Sequence, residues 1–332
     1  IDVLINGSTA KIDNLRGDDS KIYVVNDSEL KINKDALFVR SHLINKDDSN
    51  TTINGNLAVL DSGTIEFVDG EYVVNYGGIK IDKSNLDVEG EVRFNNSDTE
   101  LNNSSNANFK DKLTLIDSAM LLKNSSSLNV GGVADFTDSA LVVQNGSKVM
   151  FGNNFTMKNK ENGAEKSIII LDNGSEINIK GNFENHGIIY YGASADSAPK
   201  ITVDGKTTLK DTTEIGIYAT SGDISNLNQA VFLESKEAIE NKATDENIYA
   251  MYFDPDNEEA NEEGLVKYDQ NIIDATLNLS KDSKKLLVQI LMSDDMKNKP
   301  INEKIDFIAK STQTAGINLT AQDLDIIKSL FT

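Results

Sequence analysis

The sequence predicts an all-β chain: a right-handed parallel β-helix of about 21 residues per coil, followed by a mixed β-hairpin and helical C-terminal segment. Three observations carry that expectation. A unit of the form Ser-x-Φ-x-Φ-x-Gly, with Φ a large apolar residue, recurs along the chain from the N-terminus to about residue 210. Its apolar positions alternate with polar ones at period 2, as strands require and helices do not. Asn, Asp, Ser and Gly, the residues of tight turns, are abundant.

The unit is plainest in "SKVMFGNNF" at 147–155 and "SEINIKGNF" at 175–183. Taking the opening residue as zero, the units start at Ser8, Ser28, Ser49, Gly63, Ser84, Ser105, Ser126, Ser147 and Ser175. The steps are 20, 21, 14, 21, 21, 21, 21 and 28 residues. Position +4 holds Ile12, Ile32, Ile53, Phe67, Val88, Phe109, Val130, Phe151 and Ile179. In a chain that is 39% apolar, a column that is apolar at every start is not accidental. Position +2 is apolar except at Thr51, and the column between is polar except at Met150. Four residues before zero stand Leu4, Val24, Asn45, Val59, Lys80, Leu101, Leu122, Val143 and Leu171, of which only Asn45 and Lys80 are polar.

Position +6 often holds Gly (Gly55, Gly90, Gly132, Gly181) or Asn (Asn14, Asn153), which suggests a corner with positive φ. "QNGS" at 144–147 and "DNGS" at 172–175 mark a second corner. A unit this short cannot bury its apolar face alone, so coil stacks on coil and like residues form vertical ladders. The 14-residue step before Gly63 predicts one tight coil. "KNKENGAEK" at 158–166 predicts a polar loop pushed out of the wall, and "IEFVDGEYVVNYGG" at 65–78 a projecting hairpin. Loops on a rigid scaffold are where binding concentrates.

The pattern fades after "ITVDGKTTL" at 201–209, which divides the chain into a β-helix over 1–210 and a capping region over 211–332. Within the cap, "DPDNEEANEEG" at 254–264 reads as an acidic loop and "ATLNLSKDSKKLLVQI" at 275–290 as a β-hairpin turning at "KDSK". Ile301, Ile305 and Ile308 share a helical face, and Thr320 with Asp323 resembles a capping box opening a second short helix. A bare last coil would expose an edge, so a cap is physically required.

Composition narrows the function classes. The chain carries 53 acidic against 32 basic residues, a net charge of −21, which opposes binding to nucleic acid or anionic membranes through bulk charge. With no Cys, disulfides, thiolate metal sites and thiol catalysis are excluded together. No run of apolar residues is long enough to cross a bilayer as a helix. The chain opens at Ile1 without Met or a signal peptide, which suggests a piece of a longer or processed protein.

The stacked Ser-x-Φ-x-Φ-x-Gly-x-Φ units over 1–210, followed by the hairpin segment at 275–290, resemble the passenger domain of a type V autotransporter, adhesin-like, from Gram-negative bacteria. The resemblance implies a cell-surface, extracellular location and anchorage through a C-terminal outer-membrane barrel that this sequence does not contain. It also implies a monomeric shaft that meets a host or microbial surface receptor, protein or glycan, in cell adhesion and virulence. The absence of heptads separates the chain from trimeric adhesins.

Only His42 and His186 are available for a serine-type triad, and neither neighbours a nucleophile motif. The acidic loop at 254–264 lacks the Gly and the closing Glu of an EF-hand, so a solvated charge run is preferred to a calcium site. Asp and Glu fall in outward columns, where a solenoid wall needs polar residues anyway. The expectation is therefore a chain with no enzymatic activity, cofactor or metal. The alternative is a β-helix lyase or hydrolase acting on glycans, with carboxylates clustered along one groove. Clustered aromatics at Tyr72, Tyr76, Tyr190 and Tyr191 are the candidate partner contacts, although alternation turns one of Tyr190 and Tyr191 inward.

Overall fold

A computed structural model of the chain describes residues 2–292, apart from Gly63, 69–70, 76–77, 162–165, Asn173 and 271–272. The helices expected at 301–312 and 320–331 lie outside the described residues.

The chain winds as a parallel β-helix with three walls. The first wall begins at Asp2–Asn6, the second at Thr9–Ile12 and the third at Leu15–Asp18. Each strand pairs in parallel with its counterpart one coil later, Asp2–Asn6 with Lys21–Val25, for example, and Leu15–Asp18 with Ala36–Val39. The strand Val92–Asn102 is long enough to serve two walls, pairing with Leu113–Ile116 on the third and with Ala119–Leu122 on the first.

The second wall carries the repeat read from the sequence. Ile12, Ile32, Ile53, Val88, Phe109, Val130, Phe151, Ile179 and Val203 stand in one paired column. All but Ile12 are essentially buried. The polar exceptions of the sequence columns resolve each other. Asn45 and Thr51 both point inward and are fully buried, and the Thr51 hydroxyl donates to Asn45 Oδ1 at 3.0 Å. Asn45 Nδ2 in turn donates to the Asn85 carbonyl at 2.9 Å, so neither side chain is left unpaired in the core.

Four sequence expectations require correction. The tight coil expected before Gly63 is replaced by an insertion: Ile53 pairs directly with Val88, 35 residues on, and Ile65 and Phe67 belong to an antiparallel hairpin of Thr64–Val68 with Glu71–Asn75. The inserted hairpin mimicked a strand unit because it obeys the same period-2 rule. Leu4 and Lys80 face outward; Ile5 and Ile81 take their inward places, the latter because the corner after Asp82 is one residue shorter than the corner after Lys46. Third, Gly55, Gly90, Gly132 and Gly181 are not positive-φ corners. They are glycine because the coil below is too close for a side chain: a Cβ on Gly90 would lie 2.7 Å from the carbonyl of Gly55, and one on Gly55 would lie 2.6 Å from that of Lys34.

The left-handed corners are elsewhere, at Asn26–Asp27, Asp47–Asp48, Asn103–Ser104, Asn124–Ser125 and Asn145–Gly146, with single residues Asp19, Arg40, Asp61, Asn96, Asp117 and Asp138 at another edge. Asn and Asp tolerate this region best among residues with a side chain. Each of those single residues is followed by Ser, and the serines form a spine. The N–H groups of Ser20, Ser41, Ser62, Ser97, Ser118 and Ser139 donate to the hydroxyls of Ser41, Ser62, Ser97, Ser118, Ser139 and Ser167, at 3.0–3.1 Å. A second spine runs from Ser8 through Ser28, Ser49, Ser84, Ser105 and Ser126 to Ser147. The Ser of the repeat is thus the residue that satisfies a buried corner N–H of its neighbour.

Fourth, the winding outlasts the sequence pattern. Glu214–Ala219, Val231–Ser235, Glu240–Asn241 and Ile248–Phe253 still pair in parallel, so the solenoid passes the boundary at 210. It closes by reversing strand direction. Leu265–Lys267 pairs antiparallel with the end of the first wall, and Lys285–Met292 with the end of the second. The hairpin expected at 275–290 is present as Ile273–Leu279 against Lys285–Met292, turning over "KDSK". These reversals cover the last edges of two walls.

Inside, Phe151 stacks on Phe155 with ring centroids 4.1 Å apart, and Phe155 on Phe183 at 5.5 Å. Phe136 meets Phe155 edge-on at 5.1 Å. These geometries are the favoured ones for aromatic pairs.

Candidate functional site

A solenoid wall normally shows polar side chains to water. The outer surface of the first wall departs from this over its C-terminal coils. Leu121, Val142, Ile170 and Tyr190 form an outward column that is nevertheless buried, together with Tyr218, Tyr249, Met251 and Leu265. Two glycines make this possible. Gly192 leaves room for the Tyr218 ring, whose hydroxyl would lie 2.5 Å from a Cβ there. Gly216 does the same for the Met251 sulfur and the Tyr190 ring.

The acidic segment at 254–264 folds back over this surface. Asn261 organises it: its Oδ1 accepts the N–H groups of Glu263 and Leu265 at 3.1 and 2.8 Å, and its Nδ2 donates to the Tyr190 hydroxyl at 3.1 Å. At the flank, the Tyr249 hydroxyl donates to Glu214 Oε2 at 3.1 Å, Lys166 pairs with the other oxygen of Glu214, and the Lys267 ammonium sits 3.7 Å above the Tyr249 ring. Burial pushes the Glu214 carboxyl up, but the Lys166 and Tyr249 hydrogen bonds and the Lys267 charge outweigh it and leave the group below its ordinary value. Burial pushes the Tyr190, Tyr218 and Tyr249 phenols up, so all three are neutral hydrogen-bonding groups at physiological pH. Asp172, at the edge of the cluster, is pushed up to about 6 by burial, against hydrogen bonds from the Asn145 N–H and Gln144 Nε2. Its Oδ1 is buried without a hydrogen-bond partner.

The sequence candidates fall as follows. Tyr191 faces inward and is fully buried, its hydroxyl donating to the carbonyls of Pro199 and Val231 at 3.2 and 3.1 Å. Tyr190 faces outward as alternation requires but is only 6% exposed, because the acidic segment covers it. Neither candidate contact is open to a partner in this structure. Tyr72 pairs with Phe67 across the inserted hairpin, and Tyr76 lies outside the described residues. Part of the acidic segment, expected to be a solvated charge run, is instead a strap. A sequence signal for this existed in the outward apolar column at Leu121, Val142 and Ile170, which a solvated wall does not tolerate in succession.

The histidines are far apart in their surroundings. His186 Nε2 meets Glu184 Oε1 at 2.6 Å, beside Lys210. His42 is held below its ordinary value by burial and by Lys21 and Lys80. Among the described residues, no serine hydroxyl bonds either ring, and no group of three or more His, Asp and Glu is arranged to hold a metal ion. No helix among them is long and apolar enough to cross a membrane.

Both large insertions interrupt the winding at one edge, between the third and first walls. The hairpin occupies the corner between Ser62 and Gly78, and the loop at 160–166 the corner before Ser167. Lys160 anchors the second loop, with Nζ 2.6 Å from Asp117 and 3.7 Å from Asp138 in two successive coils.

The class defined by this geometry is a three-walled parallel β-helix with a strapped outer face and loops gathered on one edge. Set beside protein-family models, curated proteins and solved structures, the chain matches none of them.

Proposed function

We propose that this chain is a non-enzymatic shaft, the passenger of a type V autotransporter, exposed on the outer surface of a bacterial cell. It presents adhesive loops or a distal tip to host cells or other microbes. One observation supports this reading above others. The insertions at 63–77 and 160–166 leave the serine spine unbroken, Ser62 to Ser97 and Ser139 to Ser167, so the scaffold carries inserted loops without changing its winding. A rod that tolerates loops on one edge is suited to holding contacts away from a surface. The net charge of −21 opposes self-association of neighbouring shafts and favours the monomer.

The test is adhesion by beads coated with the purified chain, applied to host and bacterial cells. Retention of beads, reduced when 63–77 or 160–166 is excised from a chain that still folds, supports the role. Equal retention by coated and bare beads on every cell type contradicts it.

A further inference from the structure

The outer surface of the second wall contains a nearly uncharged window. One of its two outward columns is charged near both ends, at Glu29 and at Lys148 and Glu176; the other opens with Lys31, paired with Glu29, and runs on past the window into Met150 and Asn178. Between them lie Asn50, Asn85, Asn106 and Ser127 in one column, and Thr52, Asp87, Asn108 and Asn129 in the other. Only Asp87 carries a charge, in a chain whose net charge is −21. All eight residues are exposed or half-buried.

The amides are locked edge to edge. Asn85 Nδ2 donates to Asn50 Oδ1 at 2.6 Å, and Asn106 Nδ2 to Asn85 Oδ1 at 3.0 Å; the Ser127 hydroxyl donates to Asn106 Oδ1. In the neighbouring column Asn108 Nδ2 donates to Asp87 Oδ1 at 2.7 Å, and Asn129 Nδ2 to Asn108 Oδ1 at 2.9 Å. A primary amide has two N–H donors and two acceptor lone pairs. Asn85, Asn106 and Asn108 each spend one donor and one acceptor on the ladder and keep one of each. Those spare groups recur at the coil spacing of about 4.8 Å, on side chains whose rotamers the ladder has already fixed.

We propose that this window is a docking surface for a flat, uncharged polysaccharide ribbon of β-linked glucose. This rests on the proposed adhesive role and names a partner for it. Hydroxyl groups are donors and acceptors at once, so a sugar ribbon can use both spare functions of each amide. An anionic polymer meets the charge of the whole chain, and a cationic one finds a single carboxylate in the window. A protein partner is disfavoured because none of the eight window residues is aromatic or apolar, the outward Met150 lying one coil beyond its edge. Each sugar contact is weak, and a long strand lying over several coils gains by repetition.

The experiment is co-sedimentation of the purified full chain with microcrystalline cellulose, with amylose resin, heparin resin and albumin-coated beads as parallel arms. Asn106→Glu with Asn129→Glu places like charges in both columns; Asn129→Lys is a milder second variant, and Thr114→Glu on the third wall is the control. The proposal expects retention on cellulose that survives from about 0.1 to 1 M NaCl. It expects affinity to fall by about tenfold or more in the double variant and less in Asn129→Lys, with no change in Thr114→Glu and all chains melting cooperatively. No retention on cellulose, equal retention by all variants, or retention on amylose, heparin or albumin alone overturns it. If cellulose binding fails while coated beads still adhere to cells through the excisable loops, this docking surface is wrong and the shaft role stands.

Discussion

The N–H of Ser62 donates to the hydroxyl of Ser97 at 3.1 Å, although an entire β-hairpin separates the two residues along the chain. The same bond joins Ser41 to Ser62 and Ser97 to Ser118 across ordinary coils. The corner is therefore indifferent to what is inserted next to it, and the hairpin is an addition to the scaffold.

Excision of residues 63–77 is expected to leave the fold intact. It converts a 35-residue step into a 20-residue coil, the length already found between Ser8 and Ser28. Closing a shorter connection costs little entropy, so the midpoint of thermal unfolding should shift by less than about 5 °C. Calorimetry showing loss of the cooperative transition would contradict the insertion account.

Glycines in the two kinds of corner should respond differently to substitution. Gly90→Ala places a Cβ against the Gly55 backbone, which cannot retreat without shifting a coil, and should cost about 3 kcal/mol. Gly146 has φ +72 and open space around it, and the equivalent place one coil earlier is held by Ser125 at φ +61. Gly146→Asn should therefore cost less than about 1 kcal/mol. Urea unfolding of both variants decides the point, and equal losses would mean that stacking distance is not what selects glycine.

Asp172 gives the solenoid a pH dependence of defined sign. Its folded value of about 6 lies above the ordinary 3.8, so the proton binds more tightly to the folded chain. This contribution is fully present below about pH 4 and is lost as pH rises through 6; the gap corresponds to about 3 kcal/mol. Asp172→Asn removes the cost of a buried carboxylate. The variant should exceed the parent in stability at pH 7.5 by up to that amount, and the difference should close below pH 4. A variant less stable than the parent at pH 7.5 would show that the carboxylate has a stabilising partner.

The strap over the first wall depends on Asn261. Asn261→Ala deletes the acceptor for two strap N–H groups and the donor to Tyr190, and should expose that ring while the core remains folded. Tetranitromethane should then nitrate Tyr190 in the variant and leave it unmodified in the parent, with Tyr191 unreactive in both. Nitration of Tyr190 in the parent would mean that the segment does not cover it.

The repeat was legible because buried ladders impose identity at fixed intervals, and the column from Ile12 to Val203 shows it. What misled was local resemblance. Phe67 belongs to a strand with the same alternation as a coil strand, and only pairing distinguishes the two. Gly55 and Gly90 have the composition of a left-handed corner, but their constraint is the approach of the coil below, which no linear pattern records. The winding beyond residue 210 is not legible in the sequence because insertions such as the turn of 3-10 helix at Ile224–Leu227 stretch the period. Alternation requires one of Tyr190 and Tyr191 to face inward without saying which; the inward one is Tyr191, and the cover over Tyr190 comes from Asn261, 71 residues away.

Vertical registry is tested most directly by electron–electron dipolar distances between nitroxides on engineered cysteines, in a chain that has no native Cys. Thr9 is followed up the same second-wall column by Asn106, Lys148 and Lys200, which lie four, six and eight coils away. Labels at Thr9 paired with each of these should give distances of about 19, 29 and 38 Å, rising in proportion to coil number. Distances that do not grow with coil number, or that cluster as in a globular fold, would contradict the stacked-coil shaft.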